Sequence, residues 1–229
     1  MQYLILVALL TVNSYAYKST FAPASHPGNF TAVFRIDSSG NHYIDLTANY
    51  LVSVDDRASI AAADTGINFW NNQSGKFRLV PAKDSAGIKE YIICFALKVL
   101  PVKDPSAERL KLNGKRWMEG RRPGDNNLLA VVHDDVLGNG VAGNTDGYYD
   151  ITIKESRKLD VVVIAHEIGH SLGAKHEDGG VMVESAENSS RKVTLSCMRT
   201  IMKFARDTMK LKYIPEGVVE LIRKPLTAD

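Results

Sequence analysis

The spacing of three histidines constrains this chain more than any other feature. Residues 166–176 read His-Glu-Ile-Gly-His-Ser-Leu-Gly-Ala-Lys-His. Four residues of α-helix advance the chain by about 400° and about 6 Å, so His166 and His170 share one helical face. Two imidazoles so placed can converge on one ion at the Zn–N distance of about 2.0–2.1 Å. His176 can join them only if the helix stops and the chain turns back. Gly173 stands where that must happen, and glycine readily takes the left-handed conformation that ends helices. Three neutral imidazoles leave one tetrahedral position open, as a catalytic zinc requires. Glu167 stands beside the ion without being a ligand, placed to act as general base on the zinc-bound water.

Local propensity opposes this helix. Val161-Val162-Val163-Ile164 is a β-branched run that reads more like a strand. Propensity is a weak prior that tertiary context overrides, and the histidine spacing demands a helix.

Around the motif, hydrophobic periodicity predicts strands over 30–37, 43–53, 77–81, 90–99, 128–132 and 148–153. Asp55 or Asp56 can cap a helix running to Asn71, in which Ile60, Ala63, Ile67 and Trp70 recur at helical spacing. Residues 103–125, rich in Lys and Arg, read as a charged loop, and Gly138 to Gly147 as a Gly/Asn/Asp loop. Residues 192–209 and 216–223 look helical. Strands, a helix, more strands and then helices make an α/β or α+β single domain.

Composition narrows the function classes. The chain has 229 residues, 45% hydrophobic and 24% charged, which is globular composition with room for one domain. A net charge of +2 gives no basic field for a nucleic-acid partner. No Gly-rich phosphate loop follows a strand, and no Gly-x-Ser-x-Gly elbow signals a serine hydrolase. Residues 3–10 form a short apolar run, and Ser14-Tyr15-Ala16 offers a cleavage site after Ala16. This is the pattern of a secretory signal peptide, though without a basic segment before the run. Residues 17–41 follow as a short leader or propeptide, and 42–229 as the catalytic domain. No apolar stretch approaches the ~20 residues of a membrane span, so a secreted, extracellular protein is expected. In such a protein Cys94 and Cys197 could form one disulfide, or remain two buried free thiols. Three Asn-x-Ser/Thr triplets begin at Asn29, Asn72 and Asn188.

The full run from His166 to His176 resembles the signature of the metzincin zinc endopeptidases. That resemblance implies a zincin fold of α+β type. Its parts are a twisted mixed sheet of about five strands, an active-site helix and a C-terminal helix. It implies zinc as the one catalytic ion and an extended protein or peptide chain as substrate. Met182, six residues after His176 and preceded by Gly179-Gly180, resembles the methionine turn beneath the metal. Upstream, Ile60 to Trp70, Lys76 to Leu79 and Tyr149 to Ile153 are most similar to the matrixin branch. There the last segment, here Tyr149, Ile151 and Ile153, would be the edge strand on which substrate pairs.

The chain also departs from matrixins. Glu177 follows the third histidine, no His-x-Asp pattern at 138–155 supplies a second zinc site, and the leader has no cysteine to act as a switch. If the protein is made as a zymogen, Asp37 is a carboxylate that could occupy the metal instead. His26, His42 and His133 read as ordinary surface or turn residues. Loop 138–147 could hold Ca2+ through oxygens. The expected protein is a monomeric secreted zinc endopeptidase. Its rivals are a zinc hydrolase of another substrate and a catalytically weak or inactive zinc-binding module on a protease scaffold.

Overall fold

The structure is a computed structural model that describes residues 29–83, 87–118, 125–147, 149–184, 189–211 and 214–222. The proposed signal peptide, most of the leader, Tyr148 and Asn188 lie outside these residues.

Two long strands, β2 (His42–Ser53) and β4 (Tyr91–Val102), run parallel through the middle of the molecule. Their alternate side chains are buried, among them Ile44, Leu46, Tyr50, Ile93, Phe95 and Leu97. This period-2 pattern places one face of each strand in the core. On one side of this pair the sheet continues through β5 (Asn126–Val132) and β7 (Asp150–Lys154) to the antiparallel edge strand β6 (Gly143–Asp146). On the other side it ends in β3 (Phe77–Pro81) and β8 (Gly217–Leu221). A further strand, β1 (Thr31–Ile36), pairs antiparallel with the first half of β2.

The helix α1 (Arg57–Asn71) starts as the sequence predicts, with the Asp56 carboxylate accepting from Ser59 N at 3.0 Å. It packs on α3 (Val161–Ser171) at Gly66, where a Cβ would stand 2.6 Å from side-chain atoms of Ile164 and Ile168. Trp70 of α1, fully buried, donates its indole N–H to the Ala165 carbonyl of α3 at 2.9 Å. The β-branched run at the start of α3 is helical after all. Asp160 caps it, accepting from Val162 N at 3.0 Å and Val163 N at 3.3 Å. Val163 and Ile164 are buried against α1 and the sheet, and that packing outweighs their propensity. The last helix, α4 (Leu195–Asp207), buries Cys197, Met198, Ile201, Met202 and Ala205 as one stripe.

The first strand, predicted over 30–37, begins at Thr31, and the preceding Phe30 is fully buried. Asn29 is buried too, donating its amide to the Ser171 carbonyl at 3.0 Å, so the first glycosylation triplet is packed into the fold. Residues 105–118 form the helix α2 (Pro105–Met118) rather than a loop. Asp104 accepts from Ala107 N at 3.0 Å at its start. Its buried positions include Arg109 and Asn113, paired to Asp150 and Asn126, so no apolar stripe announces it. Within the segment 216–223, read as helical, Gly217–Leu221 form an edge strand in which Val219 pairs with Leu79. Of the two alternatives for the cysteines, Cys94 on β4 and Cys197 on α4 carry free thiols.

A further correction concerns the substrate strand. β7 is interior, paired with β5 on one side and β6 on the other. Ile151 and Ile153 are buried, and Tyr149 sits in the turn before β7, its ring 5.2 Å from the Arg109 guanidinium carbon. The edge of the sheet is β6, inside the stretch read as a loop.

Candidate metal centre

The helix α3 carries His166, Glu167 and His170, and ends at Gly173. Gly173 has φ of +89°, the left-handed turn that its sequence position requires. A Cβ there would overlap the ring of Phe204 as well, so both backbone and packing select glycine. The turn is closed by Gly173 N to His170 O at 2.9 Å and Ala174 N to Gly169 O at 3.0 Å. It returns the chain so that His176 faces the two helical histidines.

The three Nε2 atoms lie 3.0, 3.0 and 3.2 Å from one another. His166 Nδ1 lies 3.0 Å from the Val181 carbonyl, and His170 Nδ1 lies 3.0 Å from the Ala174 carbonyl. A carbonyl only accepts, so each Nδ1 carries the proton and each Nε2 presents a lone pair. Burial first, then the neighbouring imidazoles, holds His166 neutral, with its pKa pushed down to about 4. Burial also lowers that of His170. Converging lone pairs on neutral rings repel unless a cation lies among them. Tetrahedral ligands at about 2.0–2.1 Å from an ion stand about 3.3 Å apart, close to the observed spacing. The residues present therefore fit a single metal ion. Among the described residues, these histidines are the one group of three or more His, Cys, Asp or Glu side chains so gathered. Within the segment 138–147, read as able to hold calcium, Gly143–Asp146 form β6.

Methionine and glycine build the floor. Met182 is fully buried in a one-turn helix, Gly180–Met182, its sulfur against Gly169 of α3. Gly179 and Gly180 have φ of +70° and +64°, which permits the reversal. Val181 N bonds to Lys192 O at 2.9 Å, strapping this turn to the chain that leads into α4. The loop holding His176 is fixed by Asp178, a buried carboxylate that sequence reasoning missed. It accepts from Lys175 N at 2.8 Å, Ser196 Oγ at 3.1 Å and Thr200 Oγ1 at 2.6 Å, which ties the third histidine to α4.

Glu167 is buried, and burial pushes its carboxyl up to about 7 against the pull of the Thr145 hydroxyl. It borders a cleft of about 840 Å³ whose walls are β6, the first turns of α3, the three histidines and the segment Val183–Glu184. His133 is exposed and paired with Asp135 at 2.8 Å, far from this chemistry in role. Asp37 is committed to its own turn, accepting from Ser39 N, Asn41 N and Tyr43 Oη at 2.7–2.9 Å.

Among the described residues, a mixed sheet with four α-helices, and a histidine triad at the end of one of them, is consistent with a zincin-like metallopeptidase fold. Comparison with protein families agrees: residues 127–226, from β5 through β8, match the model of metallo-peptidase family M12B, reprolysin-like, of the metzincin clan. The matched segment holds all three histidines, Glu167 and Met182. A comparison with curated proteins gave no significant match. The match is to the reprolysin-like branch, and the matrixin likeness of residues 60–79 falls outside it. No helix among the described residues is long and apolar enough to cross a membrane.

Proposed function

We propose that the protein is a secreted zinc-dependent endopeptidase that hydrolyses internal peptide bonds of extended protein substrates, working as a monomer. The observation that carries this reading is the convergence of three Nε2 atoms within 3.2 Å of one another, next to a buried carboxylate in an open cleft. His166, His170 and His176 would hold the zinc. When bound, the metal supplies Lewis acidity toward the scissile carbonyl and acidifies water. Glu167 takes the proton of the attacking water and hands it to the leaving amine nitrogen. β6 has one edge paired to β7 and borders the cleft, which suits it to take an extended peptide by strand addition. The apolar run at 3–10 followed by Ser14-Tyr15-Ala16 supports export. The family match supports the reprolysin-like branch over the matrixin one.

The test is cleavage of an unbiased peptide library by the mature protein, with and without a zinc chelator, beside the Glu167→Ala variant. The expected result is chelator-sensitive cleavage. Glu167→Ala should lose about 10²–10⁴ in rate while keeping stoichiometric zinc. Zinc binding without turnover in the wild type would instead identify an inactive binding module.

A further inference from the structure

Glu167 takes one side-chain hydrogen bond among the described residues. The Thr145 hydroxyl donates to its Oε2 at 2.6 Å and also lies 3.0 Å from the Glu167 backbone carbonyl. A threonine has one proton to give, and the nearer, ionisable oxygen is the stronger acceptor. Thr145 is the third residue of β6, held in register opposite Ile151 of β7. Its neighbours Asn144 and Asp146 point outward, so Thr145 and Gly143 share the inward face. Gly143 completes the contact: a Cβ there would stand 2.8 Å from Glu167 Cγ and 3.0 Å from Oε1. The backbone of β6 thus lies directly on the side chain of the base.

This arrangement has a mechanical meaning. The terminal torsion of a glutamate is broad, so a buried carboxylate with no donor can rotate its oxygens away from a reacting water. A general base must keep an oxygen within hydrogen-bond reach, and misplacement by about 1 Å can cost 10²-fold in rate. We propose that Thr145 is a positioning residue for Glu167. Its hydroxyl holds Oε2, Gly143 admits the carboxylate beneath the strand, and Oε1 is left as the oxygen that accepts the proton. Because β6 is also the strand on which a peptide would pair, one element aligns the substrate and the base together. The inference rests on the peptidase reading above.

Thr145→Val removes the donor and keeps the shape and β-branching of the side chain. The measurements are kcat and KM on a library-derived peptide, zinc stoichiometry, the melting temperature, and affinity for a non-cleavable extended peptide by fluorescence anisotropy. The expected loss is about 10–100-fold in kcat. KM, zinc content and peptide affinity should stay within about twofold, and Thr145→Ser should restore most of the rate. A valine variant within about twofold of wild-type kcat overturns the proposal. So does a loss seen equally in peptide affinity or zinc content, or a serine variant no better than valine. Should valine fail to fold, Gly143→Ala decides. It keeps the hydroxyl but presses on Glu167, and a zinc-replete alanine variant of normal kcat overturns the proposal equally. Absence of cleavage by the wild type sinks both readings, whereas wild-type cleavage with an indifferent Thr145→Val sinks this one alone.

Discussion

The sulfur of Met182 occupies the space that a side chain on Gly169 would fill. A Cβ at Gly169 would overlap Met182 Sδ and stand 3.1 Å from Trp70 Cζ2. The helix that carries His166 and His170 is therefore seated directly on the Gly180–Met182 turn, with no side chain between them. The carbonyl of Val181, next to Met182, is the acceptor that orients His166. Floor and ligand are one mechanical unit, and the glycine between His166 and His170 makes their contact possible.

Gly169→Ala tests that unit. Overpacking a closed core typically costs about 1–3 kcal/mol, and here the displaced atom is the methionine that supports the site. We expect a melting temperature lower by several degrees and weaker zinc retention in a chelator competition, because the Val181 carbonyl moves with Met182. Alanine is the better helix former, so a variant that melts at or above the wild-type temperature with unchanged zinc retention would show that the contact carries no strain.

The zinc-free protein should lose stability in acid through its buried imidazoles. An unfolded histidine titrates near about 6.5, whereas folded His166 is held down to about 4 and folded His170 is also lowered, both mainly by burial. Below about 6.5 the unfolded state binds protons that the folded state does not, so stability falls with falling pH and levels off near the folded values. Glu167 acts in the opposite sense. Its folded carboxyl is raised to about 7, above the unfolded value of about 4.3, so its contribution is present in acid and lost as pH rises through that window. The carboxyl therefore opposes the imidazoles over the same pH window. Glu167→Gln removes the opposing group, so the fall in urea midpoint between pH 7 and pH 5 should be steeper in that variant than in wild type, both freed of metal. An equal or shallower fall would contradict the balance. Saturating zinc should raise the midpoint at pH 7 and raise it less at pH 5, because protons compete for the same nitrogens.

The triad, its glycine turn and the cap on α1 were legible because local rules determine them. A spacing of four on a helix, a glycine at a left-handed turn and an aspartate before an apolar period need no knowledge of distant residues. The strands β2 and β4 were legible for the same reason, since each is a long alternating or apolar run, with burial alternating over Ile44–Tyr50 and Tyr91–Leu97. What failed depends on tertiary partners. β6 reads Gly-Asn-Thr-Asp, with little strand propensity, and exists because it pairs with β7 and packs on Glu167. Missing it moved the predicted sheet edge one strand inward, onto the buried Ile151 and Ile153. α2 hides its buried face behind Arg109 and Asn113, whose partners Asp150 and Asn126 are 41 and 13 residues away. Thr145 and Asp178 are ordinary polar residues in sequence, and only their contacts with Glu167 and α4 give them a role.

The two cysteines provide a check on the packing that is independent of the metal. Cys94 is half-buried on β4 beside the Ser74 turn, and Cys197 is fully buried in the stripe of α4. Burial pushes both thiols above their ordinary value, far more so for Cys197, where the Asp178 carboxylate adds to the effect. The thiolate is the reactive form, so both should alkylate slowly in the native state, Cys197 much the slower. Native iodoacetamide labelling followed by peptide mass spectrometry should modify Cys94 alone within the working time, and urea should release Cys197. Reducing agent should leave the melting temperature unchanged, since no crosslink constrains the unfolded chain. A non-reduced peptide map containing a Cys94–Cys197 crosslink, or a melting temperature that falls on reduction, would instead require β4 and α4 to approach in a way this packing does not permit.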